Sequence, residues 1–227
     1  MRGLYLAVDI LTLAVPLFCS FYPKAPFRRE WKWLFPAIAA VAILFVFWDV
    51  QFTKAGIWGF NPDYLIGYYW LGLPIEELLF FVCIPYSCMF IYFCSRYFIP
   101  GKQLKYSSRI VCGAGAALCL LIAVINLEKW YTVITFAGSS ALLALFFFRK
   151  PYWLGHFLIS YAVAFIPFLV VNGILTGTGP DEPVVWYNND ENLGLRILTI
   201  PVEDCFYALL LNGSIVSLYE FMRSSRF

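Results

Sequence analysis

Two pairs of adjacent acidic residues stand in an otherwise apolar chain. Pro74-Ile75-Glu76-Glu77 returns 127 positions later as Pro201-Val202-Glu203-Asp204. Each ionised carboxyl inside a membrane costs roughly 2.5 to 3.5 kcal/mol, so four would cost on the order of 10 kcal/mol. Because desolvation and mutual repulsion both favour the neutral acid, we expect close carboxyls to share a proton. The pattern therefore predicts a proton donor beside a proton acceptor in a water-poor pocket.

The acidic pairs belong to a longer internal duplication. Phe80 and Tyr207 form a similar pair at the same offset. Identical residues also recur at this offset at Asn61 and Asn188, Asp63 and Asp190, Gly67 and Gly194, Ser87 and Ser214, Tyr92 and Tyr219, and Arg96 and Arg223. An ungapped match that includes polar, glycine and proline positions is more than shared hydrophobicity, so we predict two equivalent structural repeats.

The two acids of one pair cannot point in the same direction, because neighbours on a helix are about 100° apart. We predict that Glu76 and Glu203, which are identical between the repeats, face the bundle interior and each other. Glu77 and Asp204 are then expected to reach a neighbouring helix or the aqueous rim. Prolines two residues before Glu76 and Glu203 place the acids near helix starts, where free N–H groups and the helix dipole stabilise an anion.

Other residues can support the acidic cluster. Asp49 and Asp9 are predicted at similar depth and either join the cluster or cap a helix at the interface. Asn172 matches Asp49, since Asp49-x-x-x-Thr53 recurs as Asn172-x-x-x-Thr176. Tyr207, one turn after Glu203, either orients that acid by a hydrogen bond or packs, and Phe80 holds the corresponding place.

The tryptophans have two interpretations. An indole face stabilises a cation in a pocket, whereas an indole at the membrane surface serves as an interfacial anchor. Both interpretations stay open for Trp48, Trp58, Trp70 and Trp186.

The composition predicts an integral membrane protein. Of 227 residues, 62% are apolar and 13% are charged, and the net charge of +2 gives no reason to expect nucleic acid as a partner. We expect membrane lipid, or a molecule dissolved in it, to be the partner. The seven cysteines form no CxxC pair and are expected to be core residues, and no metal-ligand spacing is present.

Seven apolar runs approach the roughly 20 residues that cross a bilayer as a helix. We predict an all-α membrane protein with spans at about 4–22, 33–51, 72–95, 109–127, 130–148, 154–175 and 198–221. Helices one to three form the first repeat, in residues 1–100, and helices five to seven form the second, in residues 130–227. Helix four, in residues 101–129, links them, and a single linking span keeps the two repeats parallel.

The basic residues predict the orientation. Twelve of the sixteen lysines and arginines fall on one side of these spans, namely Lys24, Arg28, Arg29, Lys32, Arg96, Lys102, Lys105, Arg109, Arg149, Lys150, Arg223 and Arg226. The positive-inside rule then puts the C-terminus in the cytoplasm and the N-terminus outside. Both acidic pairs are expected in the outer half of the bilayer, and the protein in the cell (inner) membrane.

Four segments carry a resemblance to a known family. They read PIEELLFF at 74–81, PVEDCFY at 201–207, FNPDYLIG at 60–67 and YNNDENLG at 187–194. With the seven spans and the chain length, they resemble the membrane-integral lycopene cyclase family of bacterial, archaeal and fungal type. In that family two homologous small domains occur as separate subunits or fused in one chain, and the resemblance here is to the fused form.

The resemblance implies that the protein closes the linear end groups of lycopene to ionone rings, most simply of the β type, giving γ-carotene or β-carotene. A proton adds to the terminal double bond, a tertiary carbocation forms and a different proton is lost, so no cofactor is needed. Glu76, Glu77, Glu203 and Asp204 are the implied catalytic acids. The implied partners are lycopene or a related linear carotene, membrane lipid and other carotenoid enzymes.

Three other functions are weighed against this one. A seven-helix retinal photoreceptor needs a lysine in the last helix, and the span 198–221 has none. A proton-coupled transporter would also use duplicated halves and paired carboxyls, but the spans lack further polar residues along a full path. A carotenoid hydratase would trap the same carbocation with water. The transporter and the hydratase stay open as alternatives.

Overall fold

A computed structural model describes residues 2–99 and 105–224, with side chains in the second range described from residue 108. Two of the basic residues counted above, Lys102 and Arg226, lie outside the described residues, as does the side chain of Lys105. The described chain forms seven α-helices: α1 Leu4–Cys19, α2 Trp31–Lys54, α3 Ile75–Phe98, α4 Lys105–Ile125, α5 Trp130–Arg149, α6 Leu154–Leu175 and α7 Val202–Ser224.

The predicted helical membrane fold is confirmed. Six of the described helices are long and apolar enough to cross a membrane, and α6 has the predicted bounds. The first helix is shorter than expected, because it ends at Cys19 and has 16 residues. At about 1.5 Å per residue, it is about 24 Å long, less than the roughly 30 Å of a hydrocarbon core.

Six short β-strands lie in the connections before α3 and α7, where no strand was predicted. They are β1 Trp58–Phe60, β2 Tyr69–Trp70, β3 Leu73–Pro74, β4 Val185–Tyr187, β5 Arg196–Ile197 and β6 Ile200–Pro201. Of these, β3 and β6 lie within the predicted helical spans. The antiparallel hairpins β2–β3 and β5–β6 lead directly into α3 and α7. These two helices therefore begin three to four residues later than the predicted spans.

The strands β1 and β4 join the two halves of the chain. They pair antiparallel, with Gly59 opposite Trp186. These two residues are also 127 positions apart, so the pairing is what a twofold axis at this point would produce. Gly59 is required here, because an added Cβ would lie 2.3 Å from the indole ring of Trp186. The two acidic helix starts consequently meet at one end of the bundle.

The helices of the two halves interlock. Helix α1 packs on α3 and α5 packs on α7, while α2 packs on α7 and α6 packs on α3 across the halves. Helices α3 and α7 thus lie at the centre, and α4 packs chiefly on α5. The main core contains Phe81, Tyr86, Phe136, Phe157 and Ile215, all at most 1% exposed.

Candidate active site

A cavity opens between the two halves, and one acid from each pair lines it. Glu77 on α3 and Asp204 on α7 are the two acids, each the third residue of its helix. At that position unpaired N–H groups of the first turn and the helix dipole favour negative charge. Both side chains are buried, at 8% and 5% exposure. The site therefore brings together two carboxyls that lie 127 residues apart.

Glu76 and Glu203 do not line this cavity, so the expectation that they face each other there is wrong. The Ile66 N–H donates to Glu76 Oε1 at 2.6 Å, and the Leu193 N–H donates to Glu203 Oε1 at 2.7 Å. The acceptors Glu76 and Glu203 are 127 positions apart, and so are the donors Ile66 and Leu193. Each acid thus fixes the loop before its own helix. The hydroxyl of Thr132 also donates to Glu203 Oε1, at 2.7 Å.

Hydrogen-bond donors surround Asp204. Tyr131 on α5 donates to Oδ1 at 2.5 Å, while Asn172 on α6 and Tyr187 on β4 donate to Oδ2 at 2.8 and 2.9 Å. Burial and the adjacent Asp204 carboxyl raise the pKa of the Tyr187 phenol well above its ordinary value, so this group stays a donor at neutral pH. Three donors to one carboxylate favour its charged form, whereas its burial favours the neutral acid.

Glu77 has a different environment, because a second carboxyl touches it. The side chains of Glu77 and Asp49 are in hydrogen-bonding contact, and the Tyr5 hydroxyl donates to Glu77 Oε2 at 2.5 Å. Asp49 accepts from Trp58 Nε1 at 2.5 Å and from Thr53 Oγ1 at 3.3 Å. Two adjacent carboxyls repel each other when both are ionised, which favours a proton on one of them.

Asp9 lies beside the site and outside the cavity wall. It is fully buried, and neither of its carboxyl oxygens has a hydrogen-bond partner among the described residues. Its electrostatic neighbours include Glu76 and Tyr5. The first repeat therefore groups four acids near its helix start, whereas Phe136 stands at the position of the second repeat that matches Asp9.

Aromatic side chains form much of the cavity wall. Tyr131 stacks on Tyr187 with ring centroids 5.9 Å apart and lies edge-on to Trp58 at 5.1 Å. Tyr207 and Phe80, at matching positions, both line the cavity. The Tyr207 hydroxyl makes no hydrogen bond to any described residue, and the carboxyls of Asp49, Glu77 and Asp204 are its electrostatic neighbours. Such a wall suits a cation, because ring faces attract positive charge.

The four tryptophans lie in two kinds of environment, at the cavity and at the exposed surface. Trp58 lines the cavity, and Trp48 packs on Tyr207 with ring centroids 4.9 Å apart. Trp70 is 58% exposed in the β2–β3 hairpin and Trp186 is 43% exposed, so neither belongs to the cavity wall. Exposed positions of this kind fit the interfacial interpretation.

The sequence analysis missed the tyrosine donors Tyr5, Tyr131 and Tyr187. One signal was available for the first, because Tyr5 and Thr132 are 127 positions apart and both bring a hydroxyl to an acid of their own repeat. Tyr131 has no such signal, since Leu4 stands at its matching position. Its role follows only from the packing of α5 on α7.

The fold and this site define the class of the protein: a helical membrane protein whose two halves enclose one cavity, with a carboxyl from each half and aromatic walls. Comparison with protein-family models gives a match to lycopene cyclase over residues 2–95 and 128–222, which is most of the chain. The chain belongs to the lycopene cyclase family. No curated protein and no solved structure matches it. Membership makes it a cyclase of carotenoid biosynthesis with a carotene as its substrate.

Proposed function

We propose that the protein is a lycopene β-cyclase, an isomerase that closes end groups of lycopene without any net oxidation or reduction. The observation that carries this proposal is the unequal environment of the two cavity acids. The carboxyl of Asp49 lies beside Glu77, whereas Asp204 accepts three hydrogen bonds. One cavity therefore contains both a proton donor and a proton acceptor, as ring closure requires.

The Glu77–Asp49 pair is the proton donor in this mechanism. Its proton adds to the terminal carbon–carbon double bond of the end group, and a tertiary carbocation forms. The next double bond, which is the first of the conjugated chain, attacks the cation, which forms the ring bond and leaves a second tertiary cation in the ring. The pair becomes more negative as the cation forms, so it also stabilises that cation electrostatically.

Asp204 is the base that ends the reaction. It removes a proton from the ring carbon that bears the polyene chain, and the electrons of that C–H bond become the ring double bond of a β end group. One proton enters and one leaves, so the product is an isomer of the substrate. Rings of Trp58, Tyr131 and Tyr207 face the cation and keep water away from it.

Glu76 and Glu203 act as positioning residues. Each holds a backbone N–H of the loop before its helix, and so fixes the first turn that carries Glu77 or Asp204. A glutamine at either position keeps a carbonyl oxygen that can accept the same hydrogen bond. The neighbouring acids of one pair are therefore matched controls for each other.

The test is expression in a bacterial host that accumulates lycopene, followed by chromatography of the pigments. Wild-type protein should yield β-ring products, namely γ-carotene or β-carotene. Glu77→Gln and Asp204→Asn should each lower ring formation by roughly 10²- to 10⁴-fold, the usual contribution of a general acid or base. Glu76→Gln and Glu203→Gln should keep most of it at equal amounts of protein in the membrane.

Three results would contradict the proposal. Unchanged lycopene with wild-type protein would contradict the cyclase function, and a hydroxylated product would favour the hydratase. Full activity of Asp204→Asn would show that Asp204 is not the base. A ring double bond displaced from the β position would show that a different proton is lost.

We also propose an orientation, with the acidic end of the bundle outside and the C-terminus in the cytoplasm. Described basic residues at the opposite end support it, since Arg96 and Arg223 lie in the last turns of α3 and α7. The cell membrane is the proposed location.

A further inference from the structure

A second, apolar cavity continues from the acid–base centre into the bundle. The two cavities share wall residues on three helices, including Phe80 and Ile84 on α3, Phe168 on α6 and Ala208 on α7. On α3 the wall continues from Glu77 to Ile91, which is roughly 20 Å at 1.5 Å per residue. We call this continuation the inner channel.

The wall of the inner channel is largely apolar, although some of its residues have polar side chains. Ser87 donates to the carbonyl oxygens of Thr12 and Cys83, and Thr12 donates to the carbonyl oxygen of Val8. Tyr161 donates to the carbonyl oxygen of Cys205 at 2.5 Å. These hydroxyls are used by the backbone, and Asn212 Nδ2 donates to the carbonyl oxygen of Ala208, whereas Asn212 Oδ1 has no hydrogen-bond partner among the described residues. The channel therefore offers few polar partners to an occupant. Such a wall suits an extended hydrocarbon without polar groups.

The inner channel also reaches the lipid-facing surface. Thr12 on α1 and several residues of α6 form its sides, and among the latter Pro167 is exposed while Ala164 is 8% exposed. An opening between α1 and α6 would admit a lipid-soluble molecule from the side, without passage through water.

We propose that the inner channel binds the polyene chain of the carotene substrate, which enters between α1 and α6 and places its end group between Glu77 and Asp204. This inference rests on the proposed cyclase function. The inner channel holds part of the polyene chain, and the cavity with the two acids holds the end group that reacts. The rest of the carotene then extends into the bilayer.

Ala164 provides the test, because a larger side chain there would fill the channel more than a turn away from either acid. Ala164→Trp should lower ring formation in the lycopene-accumulating host roughly tenfold or more, and Ala164→Leu should have a smaller effect. Ala162→Trp is the matched control, since Ala162 is exposed on the same helix. It should retain wild-type ring formation.

A binding measurement keeps the test independent of catalysis. Asp204→Asn protein, purified in detergent, should carry lycopene that it does not convert, measured by its visible absorption per protein. Adding Ala164→Trp should remove most of this pigment, and adding Ala162→Trp should not. Ala164→Leu serves the same measurement if the tryptophan variant does not fold.

The outcomes separate the two proposals. If the wild-type protein forms no ring, the proposed function fails. If it does, but the Ala164 variants match Ala162→Trp in ring formation and in bound lycopene, only the channel assignment is overturned. The channel would then hold a lipid acyl chain.

Discussion

At the residue scale, the two halves have matching positions around the cavity but different side chains at several of them. Asp49 and Asn172 match in sequence and both lie beside the cavity, yet one brings a second carboxyl to Glu77 and the other donates an amide hydrogen to Asp204. Phe80 and Tyr207 differ by one hydroxyl. A symmetrical ancestor of this site would place equal acids on both sides. In the proposed mechanism, these few substitutions make one side a proton donor and the other an acceptor.

Tyr207→Phe tests whether that hydroxyl takes part in proton movement. In the proposed mechanism, Asp204 holds a proton after one turnover that the Glu77–Asp49 pair lacks, and the Tyr207 hydroxyl is electrostatically close to all three carboxyls. We expect the variant to form rings on the order of 10²-fold more slowly, because the return of the proton loses its carrier. The rate of product accumulation in detergent-solubilised protein measures this.

The matched control is Phe80→Tyr, which adds a hydroxyl at the corresponding place of the other repeat and should leave the rate close to that of wild type. The ring of Tyr207→Phe keeps its packing on Trp48, so equal thermal stability is expected. Wild-type turnover by Tyr207→Phe would show that the hydroxyl has no role in proton return.

At the element scale, the two hairpins explain why the acids stand where they do. The Ile75 N–H bonds to the carbonyl oxygen of Tyr68 at 2.9 Å, and the Val202 N–H bonds to that of Leu195 at 3.0 Å. Together with the bonds of Glu76 and Glu203, these close the loop before each central helix. Each hairpin turn contains a leucine with positive φ, 54° at Leu71 and 58° at Leu198.

Leu198→Gly should therefore stabilise the protein. A left-handed conformation costs a residue with a Cβ roughly 1 to 2 kcal/mol, and glycine avoids this at an entropic cost of about 0.5 to 1 kcal/mol. Little packing is lost, since Leu198 is 71% exposed. We expect a gain of up to about 1 kcal/mol in the free energy of unfolding, measured as a higher melting temperature in detergent.

Leu195→Gly is the control for this prediction. Leu195 is 63% exposed and belongs to the same loop, but its φ is not positive. Glycine there should destabilise by about 0.5 to 1 kcal/mol through backbone entropy alone. An equal loss of stability in both variants would contradict the strain assigned to Leu198.

The elements were largely predictable from the sequence, and the direction of the acids was not. The length of the apolar runs predicted the helices, and α6 has the predicted bounds. The starts of α3 and α7 were placed too early, because a two-residue strand such as Leu73–Pro74 has no periodicity that distinguishes it from a helix start. Which acid of each pair faces the cavity depends on the loop N–H groups of Ile66 and Leu193, ten residues upstream.

At the scale of the whole molecule, the two halves form one structure. Helix α2 packs on α7, α6 packs on α3, and β1 pairs with β4, so each half covers surfaces of the other. At the opposite end, the carboxyl of Glu220 on α7 accepts hydrogen bonds from Arg96 and Tyr92 on α3. The cavity itself needs Glu77 from one half and Asp204 from the other. In the proposed mechanism, the proton donor comes from one half and the base from the other.

A divided chain tests this dependence. We expect that residues 1–99 and 100–227, made as separate chains, will form no ring products when expressed singly in the lycopene-accumulating host. Co-expression should restore ring formation, because α2 can still pack on α7, and α6 on α3, when the halves are separate chains. Helix α4 stays in the same chain as α5, on which it packs. Asp204→Asn in the second chain should abolish the restored activity, which ties it to the shared cavity. Ring formation by either chain alone would contradict a single site built from both halves, since one half would then hold the whole acid–base centre.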